Sequence, residues 1–141
     1  MLSREHATAV INELHEAQAR LYTDGDPGGV RALLSEHIAW HVPGTSPIAG
    51  SYHGRDEVIE YMLARRRLAD GTFRMHRLDV LTGEGSTVAA LTDGSAVVRG
   101  VQRRWSTVGL YCLEGSQAAE CWLLPLDQVE FDDIWTPRDP G

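Results

Sequence analysis

Apolar residues at Val10, Ile11, Leu14, Ala17 and Leu21 recur at the spacing of an amphipathic helix, and Ser3 is placed to cap it. On this pattern His6 and His15 fall on or beside the polar side and are solvated. Asp24-Gly25-Asp26-Pro27-Gly28-Gly29 breaks the helix, and Asp26-Pro27 reads as an N-cap followed by proline. A short second helix turns Val30, Leu33 and Leu34 inward, and a strand, Ile38–Val42, follows. A third helix runs from Asp56 to about Leu68 on the stripe Val58, Ile59, Met62 and Leu63. From Thr72 the period changes to that of strands, predicted at 72–81, 87–93, 101–113 and 117–124. Their connections are Thr82–Gly85, a looser Asp93–Gly100 segment and Glu114-Gly115-Ser116. The tail Asp127–Trp135 makes a helical turn with Val129, Phe131 and Trp135 packing down, and Pro137–Gly141 is frayed. The order predicts one α+β domain over residues 1–136, with three helices covering one face of a curved, mostly antiparallel sheet. Helices that cannot fill such a curve leave a cavity.

Composition narrows the chemistry. A net charge of −7 over 141 residues argues against nucleic acid, whose binders need a basic face. The one basic run, Arg65-Arg66-Arg67, closes the third helix, where cations complement the helix dipole. No apolar run approaches the ~18 residues that span a bilayer, and the chain enters an amphipathic helix at once, so no membrane contact or signal peptide is expected and the compartment is the cytoplasm. Cys112 and Cys121 have neither metal nor disulfide spacing and read as small buried hydrophobes. With no phosphate loop, dinucleotide fingerprint or metal spacing, no cofactor or metal is expected.

Candidate chemistry is densest at residues 39–57, where Trp40, His41, Ser46, Tyr52 and His53 share a loop anchored by a strand and a helix. Such loops line binding sites, and this one is predicted to form the mouth of a small-molecule pocket. A two-residue turn at Gly115-Ser116 would pair Glu114 with Gln117, Cys112 with Ala119, Tyr111 with Glu120 and Gly109 with Trp122. Alternation then puts Trp105, Thr107, Tyr111, Glu120, Trp122 and Leu124 on one face, the pocket wall, with Gly109 leaving room opposite Trp122. Val108, Leu110, Cys112, Ala119, Cys121 and Leu123 take the other face. Trp40, Val42, Met62 and Met75 complete the expected lining for a hydrophobic ligand. Glu120, desolvated there, would serve as a general base; otherwise it is an edge carboxylate or is tied to Arg103 or Arg104. His41 is the second candidate base, although alternation points it away from Trp40 and Val42, and His76 reads as solvated.

Several motifs carry a family resemblance. They are Asp24-Gly25-Asp26, Trp40-His41-Val42-Pro43-Gly44, Gly54-Arg55-Asp56-Glu57-Val58, Glu120-Cys121-Trp122, and Asp127-Gln128 with Phe131-Asp132-Asp133-Ile134-Trp135. In these the chain resembles the SnoaL-like branch of the nuclear transport factor 2-like superfamily, which includes ketosteroid isomerase and polyketide cyclase relatives. The resemblance implies a conical α+β barrel, a deep apolar pocket and a homodimer formed through the outer sheet face. It also implies cofactor-free isomerisation, cyclisation, dehydration or epoxide opening of a polycyclic or polyketide- or terpenoid-like molecule. Val42 stands where ketosteroid isomerases carry the base Asp, Leu123 follows Trp122 where the cyclases carry an Asp, and no Asp-Arg-Asp relay can be assigned. The expected catalytic set is therefore Glu120 or His41 as base with Tyr111 or Tyr52 as hydrogen-bond donor. The alternative is a non-catalytic binding or interaction module on the same fold.

Overall fold

A computed structural model describes residues 3–83 and 85–137. Helix α1, Arg4–Asp24, is capped by the Ser3 side chain, which accepts from the His6 N–H, and ends at Gly25 in a left-handed conformation (φ 75°). The short α2, Gly28–Leu33, starts just past Asp26, whose carboxylate accepts from the Gly28 N–H. Then come β1 (Leu34–Val42), β2 (Gly50–His53), α3 (Gly54–Leu68), β3 (Arg74–Thr82), β4 (Thr87–Val98), β5 (Val101–Glu114), β6 (Gln117–Pro125) and α4 (Gln128–Trp135). One sheet of order β2-β1-β6-β5-β4-β3 carries them, with β1 and β6 parallel and every other pair antiparallel. This is the expected α+β architecture, as an open curved sheet rather than a closed barrel, with a fourth helix where the sequence indicated a turn. Phe131 and Trp135 of α4 are buried as expected, but Val129 is 81% exposed.

Strand β1 starts at Leu34, which was expected in the second helix, rather than at Ile38, and two further differences from the sequence reading bear on the site. The segment 93–98 continues β4, and the connection to β5 is the tight turn Arg99-Gly100, with φ of 51° and 79°. Asp93-Gly94-Ser95 has turn composition, yet it stays extended because the Trp105 indole lies over Gly94; a Cβ there would sit 2.4 Å from the ring. The second difference is β2, a short polar strand inside the predicted loop, which pairs Tyr52 with Trp40 and Ser51 with His41. Residues 138–141 of the predicted frayed tail, and Glu84 of the β3–β4 connection, lie outside the described residues.

The core fills the space between α1, α3, α4 and the inner sheet face, with Ile11, Leu14, Leu21, Tyr22, Met62, Phe131, Ile134 and Trp135 essentially inaccessible. Among the described residues no helix is long and apolar enough to cross a membrane.

Candidate functional site

One extra residue in β6 decides which side chains meet. Pairing starts as expected, Glu114 with Gln117 and Leu113 with Ala118, but a bulge at Ala119 then sets Cys112 opposite Glu120, Tyr111 opposite Cys121, Leu110 opposite Trp122 and Gly109 opposite Leu123. Beyond the bulge the faces are exchanged relative to the sequence reading. Cys121 and Leu123 turn inward beside Tyr111, Thr107 and Trp105, while Glu120, Trp122 and Leu124 turn outward. Glu120 is therefore not in a desolvated pocket with Tyr111. It meets His41, whose Nε2 lies 2.8 Å from its carboxylate, on the outer face; Arg103 pairs with Asp133 instead. Trp122 stacks on the His41 ring (centroids 5.5 Å). The room at Gly109 is taken by the Tyr111 ring, 2.7 Å from where a Cβ would stand.

The loop 43–49 buries Ile48 in the core but does not line the interior cavity. Gln128 Nε2 donates to the Pro43 carbonyl and the Thr45 N–H donates to Asp132, tying the loop to α4. Tyr52 stacks near Tyr61 (4.7 Å) and donates to the Ile48 carbonyl, beside a surface cleft of about 330 Å³. Val42 and Met62 are buried in the core and do not line the interior cavity, and Leu124 is 42% exposed on the outer face.

The interior cavity is lined by Trp40, Met75, Trp105, Thr107 and Tyr111 from the expected set, by His15 and Arg65, which the sequence reading placed on a polar helix side and at a helix end, and by Gln18, Tyr22, Phe73 and Thr92, which it did not single out. Its centre is Arg65, only 5% exposed. The guanidinium carbon lies 4.6 Å from the Trp135 ring centroid, 4.7 Å from Phe73, and 5.5 Å from Trp105 and from Phe131. Nη1 donates to the Tyr61 hydroxyl at 3.3 Å, and Nε is buried with no hydrogen-bond partner. No carboxylate among the described residues pairs with it. The other two arginines of the run do what helix-end cations do: Arg66 donates to the Tyr22 and Thr23 carbonyls and Arg67 pairs with Glu60. Arg65 was legible in principle, because it continues the Val58 and Met62 stripe at seven and three residues.

His15 is the second residue missed. Its Nδ1 is buried and unpartnered, and burial, with the Arg77 cation beside it, lowers its pKa to about 4. Gln18 Nε2 and Trp40 Nε1 also lack a partner within bonding distance, although Gln18 acts on the Tyr111 phenol and Trp40 on Tyr61 at longer range. Burial raises the pKa of Tyr22, Tyr61 and Tyr111, so these phenols stay protonated and can donate. The wall includes Asp93, whose carboxylate accepts from Ser106 on the outer face. The interior is thus a polar, cation-bearing site inside an acidic protein.

The cavity is small, about 30 Å³, room for a water molecule. A cleft of about 530 Å³ adjoins it, and Met75, Asp93, Gly94 and Trp105 form part of both walls. Trp105 is therefore the partition, and Gly94 is what lets it lie flat. Gly94→Ala is expected to displace the indole, shift tryptophan emission and cost about 1–3 kcal/mol in denaturant unfolding. Among the described residues no cluster of three or more His, Cys, Asp or Glu side chains could hold a metal ion.

The family model described as the SnoaL-like domain matches residues 15–121. The chain belongs to the SnoaL-like family. No curated protein matches its sequence. Among solved structures, Bal32a, from a soil-derived mobile gene cassette, is 21% identical with a TM-score of 0.82, covering 93% of this chain and 97% of its own. A protein of unknown function with a cystatin-like fold from Xanthomonas campestris is 22% identical with a TM-score of 0.81, covering 93% and 98%. TerC, co-crystallised with polyporic acid, is 16% identical with a TM-score of 0.75, covering 92% and 97%. At these identities the likeness establishes the fold of this SnoaL-like domain and leaves its chemistry to its own residues.

Proposed function

We propose that the interior cavity, opened into the adjoining cleft by displacement of the Trp105 partition, binds a small, flat organic acid, with a carboxylate or enolate oxygen seated on the Arg65 guanidinium, and that the domain acts on it by cofactor-free acid–base chemistry. The observation that carries this reading is a buried arginine in a box of four rings, with an orphaned Nε and no carboxylate partner. A buried charge of that kind is costly unless something pairs with it, and an anionic ligand would. The rings suit a flat, unsaturated body. TerC, which shares the fold, was co-crystallised with polyporic acid. His15, neutral at pH 7, is the acceptor for a proton taken from carbon next to a carbonyl, and Arg65 with Tyr61 stabilises the oxyanion that results. Isomerisation, cyclisation and dehydration all begin with that step. His41 and Glu120 have no part in it.

Binding is tested by titrating tryptophan fluorescence with an aryl carboxylate and its primary amide. At least tenfold tighter binding of the carboxylate is expected, and equal affinity would sink the reading. Proton transfer is tested with a 3-aryl-2-oxo acid, which carries hydrogens on the carbon next to its ketone, by following their exchange in D2O by NMR. Binding without exchange would move the protein to the non-catalytic module, the second reading.

We propose also that the domain is a homodimer through the outer face of β3–β5. There Leu81, Ala89 and Leu110 form one apolar row, Leu91 and Val108 continue into the next, and Leu81 is 62% exposed. Sedimentation at micromolar concentration is expected to give the mass of two chains.

A further inference from the structure

On the outer face, at the β1–β2 end of the sheet, three side chains form an ordered chain of hydrogen bonds. Ser51 Oγ lies 2.8 Å from His41 Nδ1, and His41 Nε2 lies 2.8 Å from Glu120 Oε2. The carboxylate can only accept, so the imidazole proton sits on Nε2, and Nδ1 is left as the acceptor for the Ser51 hydroxyl proton. The relay is held by the fold: Ser51 and His41 are cross-strand partners, Ala39 and His41 of β1 flank Glu120 and Trp122 of β6, and Trp122 stacks on the imidazole. His53 approaches the ring edge-on (6.5 Å) from the same side. Beside Ser51 is a cleft of about 310 Å³ walled by Val42, Pro43, Gly44, Gly50, Trp122 and Leu124.

From this geometry we infer that Ser51 is an activated nucleophile, and that the outer cleft is an acyl-transfer site for esters with a small apolar acyl group. Hydroxyl, base and orienting carboxylate stand in the order that activates a serine, with the two imidazole nitrogens exchanged relative to the Ser-His-Asp template. In the first half-reaction Ser51 Oγ bonds to the ester carbonyl carbon while its proton passes to His41 Nδ1. The C–O bond to the alcohol breaks, and the leaving oxygen takes the electron pair and then that proton. In the second half, water attacks the acyl-Ser51 carbon, gives its proton to Nδ1, and Ser51 Oγ leaves and recovers it. The net change is ester plus water to acid plus alcohol, with no co-reactant. Glu120 is a positioning residue, acting through His41. The inference is independent of the interior site, which shares none of these residues.

The test is labelling with a fluorophosphonate and turnover of p-nitrophenyl acetate by the full-length protein. Expected is one covalent adduct, mapped by peptide mass spectrometry to Ser51, forming at least tenfold faster than in His41→Gln. Glu120→Gln keeps a hydrogen-bond acceptor for His41 and removes its negative charge, so labelling should slow at least tenfold, and Glu120→Asp should recover most of the rate. An unchanged rate in Glu120→Gln would overturn the role given to Glu120. Absence of adduct on Ser51, or an equal rate in His41→Gln with circular dichroism unchanged, overturns the proposal.

Discussion

Replacing Arg65 by methionine is expected to leave the protein at least as stable as the wild type while weakening binding of an aryl carboxylate about 100-fold. The two effects separate because Arg65 is expensive where it stands. A guanidinium taken out of water without a counter-ion costs several kcal/mol, and the four surrounding rings return about 2 kcal/mol when the contact is desolvated. Methionine is unbranched, fills a similar volume and packs well against rings, so it removes the buried charge without opening a void. Its thermal midpoint should stay level or rise by a few degrees. Binding should fall because a charge-assisted, forked contact to a carboxylate is worth about 3 kcal/mol. Arg65→Ala is the control: it leaves a hole among Phe73, Trp105, Phe131 and Trp135 and should cost about 2–5 kcal/mol. If methionine proves strongly destabilising instead, the guanidinium is a structural strut, and the case for an anionic ligand loses its main support.

The same arginine shows where sequence reading of this domain reached and where it stopped. Helical stripes and the change of period at Thr72 were enough for the α+β architecture, because both depend on local alternation. The candidate site depends on phase, and phase was lost at a single residue. Counting from the Gly115-Ser116 turn holds for Glu114 and Gln117, then fails past Ala119, whose extra place exchanges the faces of Glu120, Cys121, Trp122 and Leu123. Nothing about an alanine among strand formers announces a bulge. For this reason Glu120 was expected beside Tyr111 and instead meets His41, which alternation had already turned outward. Gly94 failed in a similar way: it reads as a turn residue until the Trp105 ring above it is known, and that contact crosses from β4 to β5. Arg65 and His15 belong to a different class. Both lie at positions whose spacing also allows an inward direction, but His15 reads as the edge of the polar side of α1 and Arg65 as a helix-end cation complementing the dipole, two readings that place them in solvent. Polar residues found buried against such readings are candidates for function, and here both line the same cavity.

His15 supplies the second large effect, a loss of stability in mild acid. Its pKa is lowered to about 4 in the folded protein, first by burial and then by Arg77, against about 6.5 in an unfolded chain. Between those values the unfolded chain binds a proton at this residue that the folded one does not, so stability rises with pH across the window. The contribution is fully present above pH 6.5, falls by about 1.4 kcal/mol per unit as pH drops, and is exhausted near pH 4, a total of about 3 kcal/mol. Below pH 4 both states are protonated and the term is flat. The measurement is a difference: urea unfolding of wild type and His15→Gln at several pH values from 4 to 8. Glutamine keeps a polar group facing the cavity and cannot titrate. The two stability curves should run parallel above pH 7 and converge or cross as pH falls toward 4, the variant losing about 3 kcal/mol less than the wild type. Curves parallel throughout would mean that His15 is hydrated in solution, and with that its place as the neutral proton acceptor in the cavity would be lost.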